Sequence, residues 1–451
     1  VKIIAHPTKT HTTIAPRPKA FLVGAEWRRS LSLLRVEDSL TELARLADTA
    51  GLDVVGQAFQ RFENPHQATF IGPGKVEEVK ALAEDAEATI ILFDDELSPR
   101  HQRELEKVFG KQQQVLDRTA LILDIFAQHA QTREGMLQVE LAQLEYRLPR
   151  LTRMWTHLAR QTGSTGGSVG VRGPGETQIE LDRRMIGQRI SLLKAELEQV
   201  RAHRRRHRQK RQQTELQVVA IVGYTNAGKS TLLNRLSGAD VLSADMLFAT
   251  LDPTTRKMIL PGGREVLFTD TVGFIQKLPT DIVAAFRATL EEITEADIIL
   301  HVADATHPNM DAQIEAVMDT LAELEVDHLP MILALNKTDG LEGPLPPLPD
   351  GATNMPAVPI SALTGAGLPE LMVAIEAVTE QIMRPVTLHL PYERGDLLSL
   401  FHERGQVETI THQADGVQII GRLPRRLLPI FTPWNHTPSP QGEAEHAETP
   451  L

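Results

Sequence analysis

The chain has 451 residues, no cysteine and a formal net charge of −12. That length allows two or three domains with sizeable cores, the missing cysteines exclude disulfides and thiolate metal sites, and no apolar run is long enough to span a bilayer. Val1 to His6 lack the apolar stretch of a secretory signal, so the expected location is the cytoplasm, in part at a membrane surface; the chain opens on Val1 rather than Met, so further residues are expected before it.

Residues 18–133 alternate short apolar runs, such as Thr89 to Phe93, with helix-like segments, such as Pro99 to Phe109. Such alternation predicts a small α/β domain. Within it, Gly72-Pro73-Gly74-Lys75 reads as a strand-to-helix turn, with phosphate contact as the alternative.

A different period governs residues 134–213. Leu137, Leu141, Leu144, Leu148, Leu151, Trp155 and Leu158 step by four and three alternately, and Ile186, Ile190, Leu193, Leu197 and Val200 repeat the step. Two such seams joined by one loop predict an antiparallel helical hairpin. The loop runs from Gly163 to Gly175, and an irregular stretch of that length at a hairpin tip is more often functional than idle. Arg160, Gly166, Gly167, Arg172, Gly173 and Gly175 suit close approach to an RNA backbone; the plainer reading is a flexible connector. Between Arg147 and Arg211 the chain holds 16 Lys and Arg against 5 Asp and Glu, although the whole is acidic. Its densest part, around Arg204, Arg205 and Arg206, favours phosphate backbones, a solvated helix face being the alternative.

Residues 214–383 carry the most informative motif. Gly223-Tyr224-Thr225-Asn226-Ala227-Gly228-Lys229-Ser230 fits G-x-x-x-x-G-K-[ST], after the apolar run Val218 to Val222 and before the helical Thr231 to Leu236. Strand, loop and helix together predict a nucleoside-triphosphate site. Backbone N–H groups close around the phosphates, Lys229 adds a charge at the β/γ-phosphates, and the Ser230 hydroxyl ligates Mg²⁺. Asn226 resembles the asparagine of potassium-activated GTPases, which implies K⁺ near the β/γ-phosphates; a turn residue tolerant of unusual dihedrals is the alternative.

Further along, Asp270-Thr271-Val272-Gly273 ends an apolar strand as D-x-x-G. There Asp270 is expected to hold Mg²⁺ through water and the Gly273 N–H to reach the γ-phosphate. The segment Phe248-Ala249-Thr250-Leu251-Asp252-Pro253 is expected to touch nucleotide and to supply a second Mg²⁺ hydroxyl from Thr250, with Thr254 and Thr255 as neighbouring candidates. Phe274 stands where Ras-type enzymes keep a water-orienting Gln, so slow hydrolysis accelerated by a partner is expected.

The base is read from Asn336-Lys337-Thr338-Asp339, after the strand Met331 to Leu335. Asp339 can accept from the ring N–H and the exocyclic amine of guanine, with Asn336 at the base edge and the Lys337 stem over its face. Adenine would leave the carboxylate unsatisfied, and sites built this way discriminate strongly. Ser361-Ala362-Leu363 supplies a third loop whose backbone N–H can contact the guanine carbonyl. A short α/β piece is expected at 384–431 and a disordered tail at 432–451.

These residues, with Arg172-Gly173-Pro174-Gly175-Glu176-Thr177-Gln178-Ile179-Glu180 and Asp182-Arg183-Arg184, resemble HflX, translation-associated GTPases of the Obg–HflX superfamily. The resemblance runs from about Phe21 to about Phe431 and includes Phe70 to Lys75 and Asp94 to Arg100. It implies binding to the large ribosomal subunit and its RNA, a glycine-loop tip reaching toward the peptidyl-transferase centre, and ribosome-stimulated GTP hydrolysis that separates stalled ribosomes under stress. ATP binding by the N-terminal domain is proposed in that family, with Gly72 to Lys75 as the segment that could touch phosphate and a simple strand-to-helix turn as the favoured reading. Ser168-Val169 before Gly170-Val171-Arg172 departs from the family's spacing, which leaves the tip contacts open.

The expected fold is α/β. A P-loop GTPase domain with a doubly wound, mostly parallel sheet is preceded by a small α/β domain and an antiparallel helical hairpin, and followed by a short C-terminal α/β domain. The expected protein is a monomeric GTPase using Mg²⁺. A large-subunit assembly GTPase and an RNA-dependent ATPase or helicase are the alternatives.

Overall fold

A computed structural model describes residues 16–27, 34–151, 178–212, 216–238, 247–248, 250–251, 253–277, 292–352, 355–424 and 427–435, without the side chains of 178–179, 201, 203–212 and 350. These fall into two units: the described parts of Val1–Ile125 with Glu145–Arg183, and of Phe126–Leu144 with Arg184–Leu451. The hairpin is therefore shared between units.

In the first unit the apolar runs become β1 (Lys19–Trp27), β2 (Asp53–Phe62), β3 (Ile90–Phe93) and β4 (Gln114–Asp117), interleaved with α1 (Val36–Thr49), α2 (Pro73–Asp85) and α3 (Pro99–Phe109). The strands pair in parallel in the order β2-β1-β3-β4. β3 is buried at every position, as a strand inside a parallel sheet must be. Gly72 caps α2, donating its N–H to Gln60 Oε1 at 2.8 Å, while Pro73 opens the helix and Lys75 pairs with Glu78 at 2.7 Å. Those partners favour the turn reading of Gly72 to Lys75.

At the start of α4 (Arg118–His129), the buried Arg118 guanidinium meets Asp94 at 2.8 Å and also Glu42. Asp117 accepts from Leu97 N, Ala120 N and the Tyr146 hydroxyl. Burial still raises its pKa.

The arm is α5 (Arg133–Arg147) and α6 (Gln178–Gln212). Arg189 grips Glu140 through two bonds of 2.7 and 2.8 Å, and Arg133 lies 3.8 Å from Glu196, so the helices run antiparallel. Leu137, Leu141, Ile190, Leu193 and Leu197 are buried along the seam. α5 stops at Arg147 and Leu148–Arg150 tightens into a 3₁₀ turn, because Pro149 lacks an N–H and disfavours a helical residue before it. Trp155, Leu158 and the glycine loop lie outside the described residues. The 35 residues of α6 make a rod of roughly 52 Å.

In the second unit β5 (Gln217–Gly223), β6 (Thr254–Ile259), β7 (Glu265–Asp270), β8 (Ile298–Asp304), β9 (Met331–Asn336) and β10 (Ala357–Pro359) form one sheet. Its order is β10-β9-β8-β5-β7-β6, with only β6 antiparallel. α7 (Lys229–Ser237), α8 (Met310–Glu323) and α9 (Leu368–Gln381) accompany it. Val219, Ile221, Phe268, Leu300, Val302 and Ile332 are among its fully buried core residues. Strand order spreads both ways from β5, so the crevice at the carboxyl end of β5 is the natural ligand position.

β11 (Arg384–Leu390), β12 (Gln406–His412) and β13 (Val417–Leu423) form an antiparallel sheet, β11-β13-β12, with α10 (Gly395–Arg404). Its core includes Val386, Leu388, Phe401, Ile419 and Phe431. The described structure continues past the expected limit at 431. Thr432–Trp434 forms a 3₁₀ turn, Asn435 bridges to Leu388, and Trp434 packs on the core with the Arg394 guanidinium 4.7 Å over its ring. Residues 436–451 lie outside the described residues. Among the described residues no helix is long and apolar enough to cross a membrane.

Candidate functional site

β5 ends at Gly223, and α7 begins at Lys229 after the loop Tyr224 to Gly228. Gly228 has φ 96°, and a Cβ there would stand 2.2 Å from Asn336 Nδ2, so only glycine fits. Asn226 has φ 60°, which asparagine tolerates better than most residues. Lys229 is 6% exposed and donates to Gly223 O at 3.1 Å and Tyr224 O at 2.8 Å. Burial pulls its pKa down to about 8, against the attraction of Asp270.

Three oxygens converge beside it. Ser230 Oγ lies 2.7 Å from Thr250 Oγ1 and 2.7 Å from Asp270 Oδ2, and Thr250 Oγ1 is 3.0 Å from the same carboxylate oxygen. Asp270 is 1% exposed, and among the described residues its Oδ1 has no hydrogen-bond partner. Burial raises its pKa, against Lys229 and the two hydroxyls. A hard divalent cation suits this oxygen set and would stabilise the buried carboxylate. Of the neighbouring candidates, Thr255 bonds Thr269 on β7, and Thr254 begins β6.

The loop after Asp270 is bonded to the phosphate loop. Phe274 N donates to Gly223 O at 3.1 Å, Thr225 N to Phe274 O at 2.8 Å, and Gln276 N to the Tyr224 hydroxyl at 2.9 Å. A Cβ on Gly273 would lie 2.9 Å from Thr225 Cγ2 and 3.0 Å from Lys229 Nζ, which explains the glycine. Thr271 is fully buried with its hydroxyl on Ile221 O at 2.7 Å, and Val272 is buried too. Thr271 therefore joins strands and presents no side chain to a ligand.

The switch segment needs a correction. Phe248 is 3% exposed, at φ 57°, with its ring edge-on to Phe126 at 4.7 Å. Leu251 is 2% exposed. Both side chains go to the protein interior, where apolar burial is favourable; Ala249 and Asp252 lie outside the described residues.

On the base side, Asp339 is exposed and accepts from Ser361 Oγ at 2.5 Å. Lys337, at φ 66°, is held by Asp304 at 2.7 Å. Burial opposes the Asp304 charge, but hydrogen bonds from Lys337 and Thr306 prevail and lower its pKa. Asn336 is engaged within the protein. It is 2% exposed, donates Nδ2 to Ala227 O at 2.8 Å and accepts from Ala362 N at 2.9 Å, because a buried amide must satisfy both ends. In this third loop the Ala362 N–H is therefore engaged by Asn336. Thr338 bonds Ile360 O, whereas Leu363 is 71% exposed beside these groups.

Three contributors escaped sequence reasoning: Asp304 behind Lys337, the Tyr224 hydroxyl under Gln276, and Arg235, which donates to Thr364 O at 3.0 Å. Only Asp304, closing a fully buried strand, carried a readable signal. Thr231 follows Ser230 in α7. Of the expected RNA contacts, Arg204, Arg205 and Arg206 fall in α6 without described side chains, and Arg160, Gly166, Gly167, Arg172, Gly173 and Gly175 lie outside the described residues.

Residues 218–337, from β5 to Lys337, match the family described as 50S ribosome-binding GTPase, and fold and match together define a P-loop GTPase. Residues 37–127 match the GTP-binding GTPase N-terminal family and 129–211 the GTP-binding GTPase middle region. GTPase HflX of Caldanaerobacter subterraneus subsp. tengcongensis is 47% identical over 383 residues, 85% of this chain and 87% of that one. GTPase HflX of Escherichia coli K12 is 44% identical over 392 residues, 86% and 90% of the two chains. The chain belongs to the HflX family of GTPases. Among solved structures, a GTP-binding protein of Sulfolobus solfataricus in complex with GDP is 24% identical with a TM-score of 0.41, over 81% of this chain and 99% of that one.

Proposed function

We propose that this GTPase binds the large ribosomal subunit and promotes dissociation of ribosomes, or rescue of stalled ones, under stress. The observation behind this reading is that the long basic helix α6 ends at Gln212, just before the phosphate-loop strand β5. Hydrolysis and RNA contact are thereby adjacent in one chain. The parts take the limits 18–133, 134–213, 214–383 and 384–431, and the working form is a monomer in the cytoplasm.

In the site, N–H groups of the loop Gly223 to Thr231, other than that of Thr225, cradle phosphates, Lys229 meets the β/γ-oxygens, and the Gly273 N–H meets the γ-phosphate. Ser230 and Thr250 would hold Mg²⁺, with Asp270 acting through water. Bound there, Mg²⁺ supplies charge neutralisation between the β- and γ-phosphates. Asp339, steadied by Ser361, selects guanine, and the Lys337 stem, steadied by Asp304, covers it. Water is the nucleophile, and Phe274 cannot orient it.

Turnover measured in potassium buffer is expected to be slow for the chain alone and to rise by on the order of 10³-fold with purified large subunits. No stimulation would remove the ribosome from the reading, and preference for immature particles would turn it toward assembly. Repeating the assay in sodium tests Asn226: equal rates leave it a turn residue only.

Changing Arg204, Arg205 and Arg206 together to Glu is expected to weaken subunit binding and flatten its log–log salt dependence by about two to three. GTP affinity should not change. Loss of both together would mean misfolding rather than a lost RNA contact.

A further inference from the structure

The phosphate loop and the third base loop are far apart in sequence, and one long side chain joins them. Arg235 stands in the last turn of α7, the helix that opens with Lys229 and Ser230. Its guanidinium donates to Thr364 O at 3.0 Å, across 129 positions of chain. It also lies against the next residue: a Cβ on Gly365, at φ 90°, would stand 3.3 and 3.4 Å from two of its nitrogens. A planar guanidinium fits over a backbone that has no side chain. Thr364 in turn leads to the base reader. Its N–H donates to Ser361 Oγ at 3.0 Å, and that hydroxyl donates to Asp339 Oδ1 at 2.5 Å, since one hydroxyl can accept and donate at once. Ser361 is fully buried, and its turn is closed by Gly365 N on Ser361 O at 2.8 Å and Ser361 N on Ala366 O at 2.9 Å. Arg235 itself is exposed, so the plainer role is a cation that suits the C-terminal end of a helix. That role needs no partner in the base loop, whereas Arg235 meets two successive residues of it.

We propose that Arg235 is a positioning residue for guanine recognition: through Thr364 and Ser361 it holds Asp339 where the carboxylate takes both the ring N–H and the exocyclic amine of the base. A loop fixed before the nucleotide arrives has less ordering to lose on binding, and affinity gains by that difference. The effect belongs to the base, because Arg235 leaves α7 at the end opposite Lys229 and Ser230. The proposal rests on the guanine-site reading of the preceding section.

Arg235→Met keeps an unbranched stem and removes the guanidinium at an exposed position. Competition titrations with GTP, GDP and ITP, with single-turnover hydrolysis at saturating GTP alongside, read the effect. ITP lacks the exocyclic amine, so the ratio of GTP to ITP affinity reports the second bond to Asp339. The Met variant is expected to bind GTP and GDP about three- to tenfold more weakly, to narrow the GTP-over-ITP ratio, and to keep its rate at saturation. Made on top of Ser361→Ala, which cuts the relay, the same change should cost about twofold or less. Unchanged guanine-nucleotide affinity would overturn the proposal, and so would a loss shared equally by ITP, which would leave a helix-end cation. Slower hydrolysis at saturation, or additive losses in the double variant, would overturn it as well. An original chain that bound ITP as tightly as GTP would instead remove the guanine reading of Asp339 on which it rests.

Discussion

Asp339→Asn is expected to abolish the preference for guanine nucleotides, lowering the GTP-over-XTP selectivity by on the order of 10⁴-fold. In the proposed site the carboxylate would accept from two guanine donors. An amide presents its own NH₂ to one of them, whereas the C2 carbonyl of xanthine accepts that hydrogen. Ser361 Oγ, 2.5 Å from Asp339, donates equally well to an amide oxygen, so the loop should keep its geometry. Competition titrations with GTP, XTP and ATP read the effect directly. Unchanged guanine selectivity would refute the role of Asp339.

Lys229→Met is expected to cost about 3–6 kcal/mol of GTP binding, roughly two charge-assisted hydrogen bonds to phosphate oxygens. Equilibrium titration with a fluorescent GTP analogue measures it; affinity within tenfold of the original would contradict the assignment. The original protein should also show a pH signature. With the Lys229 pKa at about 8 without nucleotide, phosphates raise it, and binding takes up a proton where the two forms differ. Affinity should be flat below about 8 and fall above it, by up to tenfold per pH unit. For folding, the native pKa lies below the ordinary 10.5. Lys229 therefore subtracts stability below about 8, and that deficit is relieved as pH rises from about 8 toward 10.5.

Much of this site could be read from order and local pattern. β9 is six apolar or amide residues buried throughout, and α3 runs over the predicted Pro99 to Phe109; both are local decisions of period and capping. Asn336 shows why reading stopped there. Its partner Ala227 stands 109 positions away, and a motif cannot say whether an amide faces a ligand or a neighbouring loop. Phe248 was misread for a similar reason. Its switch-segment position suggested the nucleotide, but its ring was free to find Phe126, an apolar partner far away in sequence. The end of α5 at Arg147 is legible in Pro149, which cannot supply the N–H of a continuing helix.

The aromatic pair of Phe126 and Phe248 has a bearing on signalling. Thr250 lies two positions beyond Phe248, so it can travel only about 7 Å from that ring's anchor along an extended backbone. Any larger excursion away from Ser230 and Asp270 must separate Phe248 from Phe126, a ring on the helix leading into α5. Were displacement of Phe126 to change guanine-nucleotide affinity by some factor, binding of the nucleotide would have to change the packing of that ring by the same factor.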